Sequence, residues 1–278
     1  MNNYQLIDGR YKGENGFLQA ESSQTSQGNH RVAILLPTFC EAENIESLIR
    51  EIQDLKLNCF ILVVDDSSPD GTISKVRKLQ KEYDNILLYV RPSKLGLGTA
   101  ITDGFQLILS SDNPPDYIIT MDADFSHNPK DIPKLIQTAQ NDYDLVVGSR
   151  YCEEGKIVGW SLMRRLISRI ASFIASTTVG MQVRDCTSGL RCYSINYVRN
   201  VLGFLHSQTY EIQIETLRQA CLQNFKVKEA PVTFTNRKRG KSKLTLDEIR
   251  AFLIYILKAK VKKLGRPENS RPAFTSRL

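Results

Sequence analysis

Asp122-Ala-Asp124 directly follows the apolar run Tyr117–Met121, and no other placement of acidic residues in the chain carries as strong a chemical signal. Two carboxylates two residues apart in an extended chain point the same way and can share a divalent cation. Mg2+ or Mn2+ held there would be completed by diphosphate oxygens and would carry the charge that a leaving nucleoside diphosphate develops. An isolated acidic pair of this kind also arises as a helix cap or a solvated turn, and the buried strand before it favours the ligand reading. His127 follows three residues later, either extending the site or serving as a satisfied structural imidazole.

Two further acidic segments stand at the ends of apolar runs. Asp65-Asp66 is followed by Ser-Ser-Pro-Asp-Gly-Thr72, which supplies turn and helix-start chemistry. Asp66 is the carboxylate expected to meet a nucleobase or ribose, while Asp70 or Thr72 caps the next helix and Asp70 has a structural task. Pro37 to Glu41 gives a rigid strand exit and an acceptor at the head of a helix, or plain helix capping. Gly96-Leu-Gly98 does not make a dinucleotide fingerprint, because Ile101 stands where the last glycine is needed. Lys94 beside it is within reach of a phosphate. No G-x-x-x-x-G-K-[ST] and no H-E-x-x-H is present, which excludes P-loop and zinc-peptidase chemistry. Arg150, Arg164, Arg165, Arg237, Lys238, Arg239, Lys241 and Lys243 remain as candidate phosphate partners, against the ordinary role of such residues as solvated surface.

The elements that must position these residues are short apolar runs: Val32–Leu36, Phe60–Val64, Ile86–Val90, Tyr117–Met121 and Leu145–Val147. They read as buried strands. Between them, Ile45, Leu48, Ile49, Ile52 and Leu55, and then Ile132, Leu135, Ile136 and Ala139, recur at helical spacing. This βαβα order implies an α/β fold with a mainly parallel central sheet flanked by helices, and a ligand crevice at the carboxyl ends of its strands. After Arg150 the pattern changes to an apolar, Arg-bearing stretch from Trp160 to Val179, a Ser188-Gly189 turn and a helical region over Glu211–Ala220. Within the first stretch, Leu162, Met163, Leu166, Ile167, Ile170, Phe173 and Ile174 form an apolar face interrupted by Arg164, Arg165 and Arg169. That is the pattern of an interfacial helix, or of a helix packed into the enzyme's own core.

The 278 residues, 41% of them hydrophobic, suffice for one substantial core. The net charge of +7 is uneven: Lys226 to Leu278 holds 15 Lys/Arg against 4 Asp/Glu, while the first 225 residues hold 22 against 26. Such a basic segment suits phosphates, whether of nucleic acid, an anionic membrane or a substrate. Six scattered cysteines without C-x-x-C pairs read as structural thiols in a reducing compartment. Residues 1–30 read as a flexible tail without a signal peptide or anchor, 31–264 as the catalytic domain with its acceptor- and membrane-facing part over 150–264, and 265–278 as a disordered tail. The longest apolar stretch, Ala251–Leu257, is far short of the ~20 residues that span a bilayer, so membrane contact is expected to be peripheral.

Taken in order, the motifs resemble those of the dolichol-phosphate mannosyltransferases (polyprenol-phosphate mannose synthases) within glycosyltransferase family 2. They are Pro37-Thr-Phe-Cys-Glu-Ala-Glu-Asn44, Val64-Asp-Asp-Ser-Ser-Pro-Asp-Gly-Thr72, Asp122-Ala-Asp-Phe-Ser-His127, Gly148-Ser-Arg-Tyr151, Trp160–Ser168, Thr187-Ser-Gly189 and Arg237–Lys243. The resemblance covers roughly Arg31 to Leu264. It implies a GT-A fold and inverting transfer of mannose from GDP-mannose to dolichyl or polyprenyl phosphate, with Mg2+ or Mn2+ as cofactor. By the same resemblance Pro37, Phe39, Glu41, Val64 and Asp66 hold the nucleoside, Asp122 and Asp124 the metal, and Ala123 and Ser126 border it. Arg150, Arg237 and Lys243 bind phosphate groups, and Asp124, Arg150 and Arg164 act at the reacting centre. Phe39 and Ser126 stand where other members show Tyr and Gln. The chain matches the type without a C-terminal membrane domain, which implies an enzyme peripheral to the cytoplasmic face of a membrane, with room for a membrane partner subunit.

Three other readings compete with this one. A UDP-glucose-dependent polyprenyl-phosphate glucosyltransferase would use the same fold. A non-catalytic nucleic-acid-binding protein or a sugar-nucleotide-binding regulator would account for the basic C-terminus or the crevice. Carboxylates at three strand ends disfavour nucleic acid as the partner, and the intact acidic pair and arginines disfavour a regulator.

Overall fold

A computed structural model describes residues 5–7, 10–12, 31–236 and 255. Within the stretch read as a tail, β1 (Gln5–Ile7) pairs antiparallel with β2 (Arg10–Lys12). The body is a seven-stranded sheet built from β3 (Val32–Thr38), β4 (Cys59–Asp65), β5 (Ile86–Val90), β6 (Tyr117–Thr120), β7 (Leu145–Ser149), β9 (Arg191–Ser194) and β10 (Val227–Pro231). Its order is β10-β7-β9-β6-β3-β4-β5. Pairing is parallel except where β9 runs antiparallel between β6 and β7. The five strands expected from the apolar runs are all present. β9 and β10 were not read, because Arg191-Cys-Tyr-Ser and Val227-Lys-Glu-Ala-Pro lack a continuous apolar run.

Alternation along the central strands divides the core in two. Ala33, Leu35, Phe60, Leu62 and Val64 face one layer, with α3 (Leu97–Leu109), α6 (Ile195–Val201) and α7 (Ile212–Leu222). Val32, Ile34, Leu36, Ile61 and Val63 face the other, with α1 (Ile45–Gln53), α2 (Thr72–Leu79) and α4 (Ile132–Ala139). Both faces of the sheet are therefore covered, as a parallel sheet requires. α3 lies close on β3: a Cβ at Gly104 would come within 2.5 Å of the Leu35 side chain. The Gly96-Leu-Gly98 pair serves a similar close approach. Gly98 N–H donates to the Gln208 carbonyl at 2.9 Å, and a Cβ at Gly98 would meet the Ser207 carbonyl at 2.2 Å.

The remaining elements extend the crevice side. A small parallel pair joins β8 (Lys156–Val158) to β11 (Thr233–Thr235). α5 (Leu162–Val179) starts at Ser161, whose Oγ accepts the Arg164 N–H, and stops at Gly180 in the left-handed region at φ 78°. It buries only Ser172, Ala175, Thr178 and Val179. Leu162, Met163, Leu166, Ile167, Ile170 and Phe173 are 49% to 82% exposed, so the reading of this helix as packed into the core fails for its apolar face. Among the described residues no helix is long and apolar enough to cross a membrane. All six cysteines are free thiols, and burial pushes those of Cys59 and Cys186 up to about 12, which keeps them protonated.

Candidate active site

β6, β3 and β4 are neighbours, so their carboxyl ends deliver Thr120–Asp124, Pro37–Glu41 and Asp65–Asp70 to one edge of the sheet. Each exit turns through a non-glycine residue with positive φ: Cys40 at 55°, Ser67 at 54° and Phe125 at 59°. Such conformations cost free energy and concentrate where surrounding structure enforces a functional geometry. Here hydrogen bonds enforce it. Thr38 Oγ1 and Ser68 Oγ donate to Asp65 Oδ2 at 2.6 and 2.7 Å, and Cys40 N–H donates to Ser68 Oγ at 2.8 Å. Glu41 N–H donates to Thr72 Oγ1 and Ala42 N–H to Asp70 Oδ2, each at 2.9 Å. Burial raises the Asp70 pKa, but the bonds from Thr72 and Ala42 outweigh it and lower the group below its ordinary value. Asp70 therefore has a structural task, tying the start of α2 to the β3 exit, although the N-cap position of α2 is Gly71 and carries no side-chain cap.

Asp66 has an internal task that the sequence did not show. Its Oδ1 accepts from Arg91, and its Oδ2 accepts the N–H groups of Leu95 and Gly96 at 3.2 and 3.1 Å. Arg91, fully buried, also donates to Thr99 Oγ1 at 2.7 Å and to the Gly96 carbonyl at 2.8 Å. The carboxylate assigned to the nucleoside thus organises the loop between β5 and α3. The Val64 side chain is wholly buried in the core. Phe39 lies under the Lys94 ammonium, 4.8 Å from the ring centroid, which brings both residues to the mouth of the same crevice.

The acidic pair lies beside these exits. Asp124 is buried, and its Oδ1 accepts the Ser126 N–H at 2.9 Å; the Asp122 side chain is 35% exposed. Gly189, whose carbonyl accepts from Thr120 Oγ1 at 2.9 Å, passes so close that a Cβ there would sit 3.0 Å from Asp122 Oδ1 and 3.1 Å from Oδ2. The space around Asp122 is kept by that glycine. Ser126 Oγ and both ring nitrogens of His127 are buried without hydrogen-bond partners. Two carboxylates, one buried and one open, with unsatisfied polar atoms next to them, fit a hard cation that takes its other ligands from a diphosphate and water. Among the described residues no group of three or more His, Cys, Asp or Glu side chains is placed to hold a metal ion.

Arg150, at the end of β7, is buried and bound to Asp185: Nε donates to Oδ2 and Nη2 to Oδ1, both at 2.7 Å, while Nη2 also reaches Thr187 Oγ1 at 2.7 Å. Burial would lower the arginine's pKa, but the facing carboxylate prevails and raises it. The rings of Tyr151, Trp160 and Phe234 surround the guanidinium with centroids 5.3, 5.5 and 5.2 Å away. Phe234 packs edge-on against both Trp160 and His127, which connects the arginine cage to the acidic pair. Arg164 lies over Trp160 at 4.1 Å, and its Nη1 donates to Asn236 Oδ1 at 3.2 Å, so the first turn of α5 adjoins the same wall.

The structure therefore groups Pro37, Phe39, Glu41, Asp66, Asp122, Ala123, Asp124 and Ser126 along one set of strand exits, with Arg150 and Arg164 on an adjoining wall. Arg237 and Lys243 lie outside the described residues. The sequence reading missed Arg91, Asp185, Arg191 and Phe234. Arg91 follows the strand Ile86–Val90, so the rule that singled out Asp65 and Asp122 would have found it. Asp185 and Arg191 flank the Thr187-Ser-Gly189 turn. Arg191 is fully buried and donates to the Ser188, Gln213 and Cys186 carbonyls and to Thr216 Oγ1, anchoring that turn to α7.

Comparison with known proteins places this geometry among glycosyltransferases. The family model described as Glycosyl transferase family 2 matches residues 33–202. A curated relative from Mycolicibacterium smegmatis, named polyprenol monophosphomannose synthase, is 31% identical over 90% of this chain and 94% of its own. Another, from Micrococcus luteus, is named undecaprenyl-phosphate mannosyltransferase and is 32% identical over 77% of this chain and 88% of its own. Among solved structures, glucosyl-3-phosphoglycerate synthase from Mycobacterium tuberculosis, in complex with Mn2+, UDP and glucosyl-3-phosphoglycerate, superposes with a TM-score of 0.60. At 18% identity over 86% of this chain and 82% of that one, the likeness is one of fold.

Proposed function

The chain belongs to glycosyl transferase family 2, and on that premise we propose that it transfers a mannosyl group from GDP-mannose to the phosphate of a polyprenol, inverting the anomeric carbon. The observation that carries the reading is the meeting of Asp122 and Asp124 with the exits of β3 and β4 at one edge of the sheet. The names of the two relatives, both acting on a polyprenyl phosphate with mannose, support the sugar and the acceptor. The family resemblance of the motifs supports GDP-mannose as donor.

In this reading Asp122 and Asp124 would hold Mg2+ or Mn2+, which would supply positive charge opposite a departing diphosphate. Pro37, Phe39 and Glu41 line the nucleoside end, and Lys94 offers a cation there to a donor phosphate. An acceptor phosphate is anionic at neutral pH and is itself the nucleophile, so no strong general base is needed. Orientation and charge stabilisation carry the rate. Arg164 and the Arg150 wall would orient that phosphate, and Arg237 and Lys243 would add to its binding. Asp185 holds the Arg150 fork in one rotamer, so little side-chain freedom remains to be lost when the substrate arrives.

α5 supplies the membrane contact in this proposal. Its exposed row from Leu162 to Phe173, flanked by Arg164 and Arg169, would lie in the headgroup region of an anionic, cytoplasmic leaflet. Because Arg164 sits on that helix and against Trp160, docking would bring the lipid phosphate to the site wall. A donor panel of GDP-mannose, UDP-glucose and UDP-GlcNAc, with a polyprenyl phosphate and Mg2+ or Mn2+, tests the reaction. A product mass equal to polyprenyl phosphate plus one hexose, formed from GDP-mannose, is expected; transfer from UDP-glucose alone would replace mannose by glucose.

A further inference from the structure

The imidazole of His127 is 1% exposed, yet neither ring nitrogen has a hydrogen-bond partner. Buried polar atoms in native proteins nearly always have one, and an unsatisfied group costs about 1–3 kcal/mol. A phenylalanine would fill the same space without that cost, so packing alone does not account for a histidine. The ring is also held in place. Phe234 meets it edge-on at 5.1 Å and 87°, and an isolated antiparallel bridge joins the two backbones. In that position Nε2 lies 3.6 Å from Asp122 Oδ2, just beyond hydrogen-bonding range. Gly189 limits Asp122 from another side.

We infer that His127 is a positioning residue for the cation site: its Nε2–H would donate to Asp122 Oδ2 after a small shift of the carboxylate and hold Asp122 in the orientation a cation would need. This rests on the reading of Asp122 and Asp124 as cation ligands and adds a residue that acts through one of them. Because Nε2 faces Asp122 Oδ2, the imidazole is assigned to orientation of that ligand. A partner that fixes a ligand in this way changes metal affinity by roughly 10- to 100-fold.

The test is Mn2+ binding by the full chain in the presence of GDP, read from the electron paramagnetic resonance of free Mn2+, together with calorimetric GDP affinity in the absence of metal. His127→Phe keeps the ring and removes the donor; it should weaken Mn2+ binding about tenfold or more while leaving metal-free GDP affinity unchanged. His127→Gln restores an N–H near Nε2 and should recover affinity to within about threefold of wild type. His127→Leu serves the same comparison if the phenylalanine variant does not fold. Wild-type Mn2+ affinity in the Phe or Leu variant would overturn the inference, as would a Gln variant as weak as either. Wild-type protein that binds GDP but no Mn2+ would remove the cation reading of Asp122 and Asp124 itself, and this role with it.

Discussion

The Arg150 guanidinium and the Asp185 carboxylate form a buried, bidentate pair with two 2.7 Å hydrogen bonds, joining the end of β7 to the turn that passes Asp122. Breaking such a pair from one side leaves an uncompensated buried charge. Asp185→Asn should therefore lower unfolding free energy by roughly 3–5 kcal/mol, measured by urea denaturation at neutral pH. Burial raises the Asp185 pKa, but Arg150 more than offsets it, and the folded value lies below the ordinary carboxylate range. The stabilisation is then complete above about pH 4 and disappears as pH falls through the lower folded value. The Asn variant should show a flatter acid limb, and identical limbs would rule out this linkage.

Asp124→Asn keeps an acceptor for the Ser126 N–H and should fold normally. Its kcat/KM should fall by about 10² or more, near 3 kcal/mol, because charge on the leaving diphosphate goes uncompensated. Wild-type protein in excess chelator should lose activity comparably, and full turnover in either case would argue against cation-assisted departure.

Removing the Asp66 carboxylate leaves Arg91, whose side chain is fully buried, with the longer 3.3 Å contact to Asp103 as its ionic partner among the described residues. Asp66→Ala is expected to lower stability by roughly 3–5 kcal/mol and to weaken GDP binding, since the same carboxylate holds the Leu95 and Gly96 amides. Thermal melting and calorimetry on one sample separate the two effects. Weak nucleotide binding at wild-type stability would favour a direct ligand contact.

Leu166→Gln combined with Ile170→Gln should reduce flotation with anionic vesicles while changing folding stability by less than about 1 kcal/mol, because both side chains are close to half exposed. Arg164→Ala should raise the KM for polyprenyl phosphate without altering nucleotide affinity. Unchanged flotation in the double variant would exclude this face of α5 as the docking surface.

The sequence by itself determined the layer order and the crevice. Five-residue apolar runs such as Val32–Leu36 and Phe60–Val64, alternating with helical patterns, read as central strands of a parallel sheet, and polar residues that follow such strands emerge at one sheet edge. Asp122 and Asp124 were legible for that local reason. β9 was not, because Arg191-Cys-Tyr-Ser reads as a strand only once it is inserted antiparallel between β6 and β7. The engagement of Asp66 by Arg91, of Arg150 by Asp185 and the bare nitrogens of His127 depend on residues 25, 35 and 107 positions apart in the chain meeting in space. Local spacing assigns a carboxylate to a strand end; only tertiary packing decides whether its oxygens remain available to a ligand or are already held by a buried guanidinium.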